Sequence, residues 1–140
     1  MMTTDGLLLD TCAMIWLSEG ASISDSAKAV IERARRANAK LCVSSISAWE
    51  IGLLVAKDRL PAVTEPLKWF NDFLSAGDVV VEPLTPDLLI ASSFLPEMPH
   101  KDPADRIITA TARANNLAIV TRDPAILAYG AAGHVKTVRC

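Results

Sequence analysis

The sequence predicts one α/β domain, in which helices flank a central, mostly parallel sheet of four to five strands. Short apolar runs alternate with stretches of helical periodicity along the whole chain, which is typical of βαβ architecture. The 140 residues contain no internal repeat and no low-complexity linker, so we expect a single domain over residues 1–140. A composition of 51% hydrophobic and 21% charged residues excludes a disordered chain.

The first predicted strand is Leu7-Leu8-Leu9, whose continuous apolar character is typical of a parallel strand buried on both faces. Asp10 follows directly and should lie at the carboxyl edge of the sheet, where open α/β folds bind their ligands. A helix is predicted from Thr11 to Leu17, so Asp10 is also well placed to cap that helix. The local sequence leaves both interpretations open.

The other elements follow from apolar runs, capping residues and early prolines. Further strands are predicted at residues 41–44, 79–81 and 117–121, with a candidate edge strand at 135–138. Helices are predicted at residues 24–38, from 45 or 47 to about 57, at 64–77, from 85, from 102 to 115 or 116, and after 123, with a loop at 95–101. In the helix that Thr64 should cap, Leu67, Phe70 and Leu74 recur on one face, which is expected to line either the core or a dimer interface.

Glu50 lies early in the predicted helix that Ser45 or Ser47 would cap. Ser47 and Glu50 match the Ser-x-x-Glu capping box, which favours a structural role for Glu50. Its helical neighbours at i−4, i+3 and i+4 are all apolar, however. A carboxylate beside a buried apolar stripe needs a cation or hydrogen-bond donors, which favours a role in a site.

Two further acids also lie at a predicted helix start or strand end. Asp105 lies in the first turn of a helix for which Asp102 is a suitable N-cap and Pro103 a suitable first residue. Asp123 follows the fourth strand directly, as Asp10 follows the first. Both Asp102 and Asp105 have an alternative interpretation, in which they serve only the helix cap and dipole.

Asp10, Glu50, Asp105 and Asp123 therefore all belong at the carboxyl edge of a parallel sheet. If they converge, they repel one another, and a bound cation would relieve that repulsion. Ligation by oxygen alone suits Mg²⁺ or Mn²⁺ and not zinc, and such metals serve phosphoryl-transfer chemistry. No Ser-His-Asp triad, Cys-His pair or glycine-rich phosphate loop competes for the role.

The formal net charge is −2, which by itself argues weakly against a nucleic-acid ligand. Without the four clustered acids and Asp102, the chain has 11 acidic residues against 14 Lys and Arg, and this balance is compatible with a polyanionic substrate. Cys12, Cys42 and Cys140 form an odd set without metal-site spacing, which favours free thiols in a reducing cytoplasm. We expect neither a membrane span nor a signal peptide.

Four sequence blocks carry a resemblance to a known family. They are Leu9-Asp10-Thr11, the block from Ser45 to Ile51, the H-x-D-P-x-D-R block that begins at His100, and Val120-Thr121-Arg122-Asp123. Together they resemble the four motifs of the PIN domain, and more narrowly those of VapC toxins from bacterial type II toxin–antitoxin systems. The resemblance covers essentially the whole chain, and the block from His100 is its most specific part.

The resemblance implies a PIN-like fold and a Mg²⁺-dependent endoribonuclease, with Mn²⁺ as an alternative metal, that hydrolyses RNA phosphodiester bonds with a metal-activated water. Its catalytic and metal-binding residues would be Asp10, Glu50, Asp105 and Asp123. Asp102 would serve as a ligand, as a partner that supports the ligands or as a helix cap, and Thr121 would form a hydrogen bond within the site. Arg106 and Arg122 are each candidates for phosphate contact or for a salt bridge to the neighbouring acid. The family further implies a cognate antitoxin protein and a homodimer.

Two other functional classes remain as alternatives. One is a PIN-like binding module without catalysis. The other is a different Mg²⁺-dependent phosphohydrolase, but a haloacid-dehalogenase-type phosphatase would need a second Asp where this chain has Cys12. A phospho-receiver domain would need an acidic pair and a late lysine at spacings that are not present.

Overall fold

The structure is a computed structural model that describes residues 4–20 and 23–140. Within these ranges the chain forms a five-stranded, fully parallel sheet with the strand order β3-β2-β1-β4-β5. The strands are β1 (Gly6–Leu9), β2 (Lys40–Ser44), β3 (Val80–Glu82), β4 (Leu117–Thr121) and β5 (Lys136–Arg139). The predicted parallel α/β sheet is confirmed, and β5 is the predicted edge strand.

Helices connect the strands and cover both faces of the sheet. They are α1 (Thr11–Ser18), α2 (Asp25–Arg36), α3 (Ser45–Ala56), α4 (Pro66–Gly77), α5 (Pro86–Ser93), α6 (Pro103–Asn115) and α7 (Pro124–Ala131). Thr85 and Asp102 cap α5 and α6 as predicted, each followed by a proline at the first helical position. No helix among the described residues is long and apolar enough to cross a lipid bilayer.

The core has two main parts, one on each face of the sheet, and successive side chains of β1 point alternately into them. Leu7 and Leu9 point to the side covered by α1, α2 and α4, whereas Leu8 points to the side covered by α5, α6 and α7. All three leucines are at most 3% exposed, which confirms that β1 is buried on both faces. A smaller cluster around Ile51 joins α3 to the loop before α4. The central strand β1 is therefore enclosed between two layers of helices.

Two predicted helix caps are wrong. Ser44, and not Ser45 or Ser47, caps α3, and Glu65, and not Thr64, is the N-cap of α4. Leu67 is 73% exposed and so does not line the core, whereas Phe70 of the same helix is buried in it. A role of Leu67 in a dimer interface stays a prediction.

The strand order creates a crevice between β1 and β4. From β1 the chain winds through β2 to β3 on one side, and it then returns to place β4 and β5 on the other side. The connections after β1 and after β4 therefore diverge, and an open α/β sheet binds its ligand at such a point. Leu9 pairs with Val120, so Asp10 and Thr121 follow side by side at this edge.

Candidate active site

Asp10 is fixed by two hydrogen bonds at the start of α1. Its Oδ1 accepts a hydrogen bond of 2.7 Å from the backbone N–H of Ala13, and its Oδ2 accepts one of 2.5 Å from the hydroxyl of Thr121. Asp10 is therefore the N-cap of α1 and also part of the crevice, so the two interpretations are compatible. Only 6% of its surface is exposed, which makes this a rigid, nearly desolvated carboxylate.

Glu50 faces the same crevice from α3. Its Oε1 accepts a hydrogen bond of 2.5 Å from the hydroxyl of Thr11, which in turn lies 2.8 Å from the hydroxyl of Ser47. Because Ser44 caps α3, Ser47 and Glu50 lie inside the helix, and the capping-box interpretation is wrong. The residue after Asp10 thus holds Glu50 in place.

Asp105 and Asp123 are joined by a histidine. The Nε2 atom of His100 lies 2.7 Å from Oδ2 of Asp105 and 3.6 Å from Oδ2 of Asp123. Asp123 also caps α7 through a hydrogen bond of 2.9 Å from the N–H of Ile126. Its own N–H donates to the hydroxyl of Thr121, so Thr121 connects Asp123 to Asp10.

Asp102 stands at the margin of this group. It is exposed and caps α6, with its Oδ1 accepting a hydrogen bond of 3.1 Å from the N–H of Asp105. The charge of Asp102 nevertheless contributes to raising the pKa values of Asp105 and Glu50. Its contacts favour support of the site from the helix cap.

The carboxylates are difficult to ionise together. Burial, followed by the charges of neighbouring acids, raises the pKa of Asp105 to about 6, although its hydrogen bond with His100 opposes the shift. Burial is also the largest cause of the raised pKa values of Asp10 and Glu50, and other acids of the crevice add to both shifts. Both causes disfavour the ionised form of the carboxylates, and a nearby positive charge would favour it.

The residues present fit a divalent cation. Carboxylate oxygens of Asp105 and Asp123 lie within 4.8 Å of each other, and a ring nitrogen of His100 lies within the same distance of both. Asp10 and Glu50 interact electrostatically with this group and bring two further carboxylates. A set dominated by carboxylate oxygens suits a hard cation such as Mg²⁺ or Mn²⁺.

Three of the four acids open onto a cleft of about 250 Å³. Cys12, Trp16 and Arg122 line it together with Asp10, Asp105 and Asp123. The guanidinium carbon of Arg122 lies 3.9 Å from the centroid of the Trp16 ring, a cation–π contact that holds positive charge at the cleft wall. The surrounding acids, after burial, raise the pKa of the Cys12 thiol to about 11, so this thiol is protonated at neutral pH.

Arg106 differs from both of its predicted roles. Its guanidinium donates hydrogen bonds to the backbone carbonyls of Ser92, Met98 and His100. Arg106 therefore holds the loop before α6, and these bonds support neither a salt bridge to Asp105 nor a phosphate contact. A positively charged fork among carbonyl oxygens is a structural clamp.

Sequence reasoning did not assign His100, Thr11 or Ser47 to the site. His100 begins the most specific motif block, five residues before Asp105, and that spacing was the available signal. Thr11 and Ser47 each lie within three residues of a predicted site acid. Their positions in the sequence gave no indication that the hydroxyl of Thr11, on α1, would contact Ser47 and Glu50, on α3.

The chain is similar to known proteins over most of its length. Residues 7–131 match the PIN domain family. The chain is 33% identical over 123 residues to Ribonuclease VapC22 of Mycobacterium tuberculosis (strain ATCC 25618 / H37Rv), a match that covers 87% of this chain and 88% of the relative.

The fold is also similar to a chain in the crystal structure of VapBC2 from Rickettsia felis bound to a DNA fragment from its promoter. The TM-score is 0.68 at 16% identity, and the match covers 96% of this chain and 98% of the other. At that identity the likeness shows a shared fold. The match over residues 7–131, together with the 33% identity to Ribonuclease VapC22, shows that the chain belongs to the PIN-domain family, among its VapC-type members.

Proposed function

We propose that the protein is a Mg²⁺-dependent endoribonuclease that hydrolyses RNA phosphodiester bonds. The observation that carries this proposal is the convergence of Asp10, Glu50, Asp105 and Asp123, from four separate parts of the chain, on one crevice. The likeness to Ribonuclease VapC22 supports ribonucleic acid as the substrate class. A cluster of buried acids with raised pKa values is expected at a metal-dependent catalytic site.

Asp10 and Asp105 are the best candidates for direct metal ligands. Asp10 is held at both oxygens, and His100 restrains Asp105, so both carboxylates are pre-oriented. Glu50 and Asp123 complete the acidic set, either through water or at a second metal position. When bound, Mg²⁺ activates a water molecule and stabilises the leaving oxygen of an in-line displacement.

The remaining residues orient this set and attract the substrate. Thr121 fixes Asp10 relative to Asp123, and Asp102 holds the first turn of α6 that carries Asp105. Arg122, stacked on Trp16 at the cleft wall, is placed to contact an RNA phosphate. Its positive charge would also offset the acidity that otherwise repels a polyanion.

We further propose that the protein is the toxin of a toxin–antitoxin pair, that it binds a cognate antitoxin protein and that it forms a homodimer. The likeness to VapC22 and to a chain of VapBC2 supports this role. Its three cysteines are unpaired, which is compatible with action in the reducing cytoplasm.

The test is cleavage of end-labelled total RNA by the purified protein, with Mg²⁺ or with EDTA. Asp105→Asn, purified identically, is the control for contaminating nucleases. We expect cleavage that requires the metal and is lost in the variant. Equal cleavage by both proteins, or none by either, would contradict the proposal and favour a binding module without catalysis.

A further inference from the structure

Hydrogen bonds from Arg106 hold the loop between α5 and α6 in place. The Nε atom of Arg106 donates a hydrogen bond of 2.8 Å to the carbonyl of Ser92, near the end of α5. Its Nη1 atom donates to the carbonyl of His100 at 2.8 Å and to that of Met98 at 3.2 Å. One guanidinium thus fixes both ends of the loop relative to α6.

Other contacts hold the middle of the same loop. The hydroxyl of Tyr129, on α7, donates a hydrogen bond of 2.6 Å to the carbonyl of Pro96. Leu95 and Met98 are buried in the core cluster beneath α5, α6 and α7. The loop is therefore a packed segment with a defined path, and that path ends at His100.

The path of this loop places the ring of His100 beside two of the site acids. Its Nε2 lies 2.7 Å from Asp105 and 3.6 Å from Asp123, and these acids come from α6 and from the end of β4. When Asp105 is ionised, its carboxylate can only accept a hydrogen bond, and Nε2 of His100 is then the donor. Asp105 immediately precedes Arg106, so one turn of α6 carries both the acid and the clamp.

We propose that His100 is a positioning residue that holds Asp105 and Asp123 ready to bind the metal, and that Arg106 acts on the site only through His100. The inference rests on the metal site of the proposed function and adds two residues to it. Groups that hydrogen-bond a metal-binding carboxylate fix its orientation, and their loss typically weakens metal affinity about 10- to 100-fold.

The chemistry of Arg106 explains why this position favours arginine. A planar fork with five donors can satisfy several carbonyl oxygens that lie in different directions, whereas a lysine ammonium is a compact point charge. The carbonyl of Ser92 also lies at the negative end of the α5 dipole, which favours a cation there.

The first experiment measures Mn²⁺ affinity by calorimetry, without RNA. We expect His100→Ala to weaken Mn²⁺ binding at least about 10-fold. His100→Gln should restore most of the affinity, because the glutamine amide nitrogen reaches about as far as Nε2 and also donates. His134→Gln, at the other histidine, is the matched control and should bind Mn²⁺ normally. If His100→Gln binds as weakly as His100→Ala, the ring nitrogen is itself a ligand and the positioning role is wrong.

The second experiment is a double-mutant cycle between Arg106→Gln and His100→Ala. If Arg106 acts through His100, the double variant should bind Mn²⁺ no more weakly than His100→Ala alone. Arg113→Gln, in which an arginine of the same helix loses its bond to the carbonyl of His134, is the control. Losses that multiply would show that Arg106 acts independently and would overturn the inference. Arg106→Lys covers the case in which Arg106→Gln does not fold.

The outcomes separate this inference from the proposed function. If the unmodified protein binds no Mn²⁺, the metal site fails, and both proposals fail with it. If it binds Mn²⁺ and the His100 variants bind equally well, only the positioning role fails. If it binds Mn²⁺ through His100 but cleaves no RNA, the inference stands and the nuclease proposal is wrong.

Discussion

The hydroxyl of Thr121 donates a hydrogen bond of 2.5 Å to Oδ2 of Asp10, across 111 residues of sequence. The same hydroxyl accepts a hydrogen bond of 3.0 Å from the N–H of Asp123. One buried side chain at the end of β4 therefore sets the distance between two site acids. It can do so because β1 and β4 are adjacent in the sheet.

Thr121→Val should disconnect these acids while keeping the shape of the side chain. We expect RNA cleavage to fall about 10- to 100-fold, because Asp10 loses a group that orients it. The free energy of unfolding should fall by about 1–3 kcal/mol, because buried partners are left without a hydrogen bond. Urea unfolding and cleavage rates measure the two effects. Thr111→Val, whose hydroxyl bonds only within α6, should cleave RNA normally; an equal loss of activity there would refute the specific role of Thr121.

The stability of the metal-free protein should fall as pH rises from about 4 to 7. The pKa of Asp105 is about 6 in the folded protein, above its ordinary value of 3.8, so the folded state binds the proton more tightly. The resulting stabilisation is complete below about pH 4 and is lost as pH rises through 6. Melting temperatures in EDTA across this range measure the effect.

Asp105→Asn supplies the comparison for that pH series. The variant removes the charge and should melt a few degrees higher than the unmodified protein at pH 7, with little difference near pH 4. Asp58→Asn, at an exposed position outside the cleft, should leave the pH profile unchanged. If Asp105→Asn instead lowers the melting temperature at pH 7, mutual repulsion does not govern this cluster.

Mg²⁺ or Mn²⁺ should stabilise the unmodified protein by binding only its folded state. At a metal concentration ten times Kd the gain is about 1.4 kcal/mol, which corresponds to a rise of about 4 °C in melting temperature. The rise should be smaller at pH 5 than at pH 7, because protons compete for Asp105 below its pKa of about 6. Thermal melting at millimolar metal measures it. An identical rise in Asp105→Asn would place the metal elsewhere.

Arg122→Gln should weaken RNA binding and leave the metal site intact. Loss of one phosphate contact lowers the slope of log affinity against log salt by about 1. Binding should be measured in an Asp105→Asn background, which keeps the RNA uncut. Arg139→Gln, an exposed arginine of the edge strand, is the control. Unchanged affinity and slope in Arg122→Gln would show that Arg122 makes no phosphate contact.

Local sequence signals predicted the elements that depend on local interactions. The caps and early prolines of α5 and α6 are where the sequence places them, because capping involves residues within one turn. The same kind of signal failed at α3, where three serines within four residues compete to begin the helix. The periodicity also did not show that Leu67 lies outside the core. A helical period identifies one face of a helix but not how far the neighbouring elements cover that face.

The sequence by itself determined the α/β class, the parallel strands and the position of each acid next to a strand or helix end. The tertiary structure decided the strand order, and with it which acids become neighbours. The physical reason is that local interactions decide whether a carboxylate lies at a strand end or a helix start. Which other acids lie beside it depends on the pairing of strands that are distant in sequence. His100 shows the difference most clearly, since a clamp at Arg106 and a packed loop bring its ring to Asp105 and Asp123.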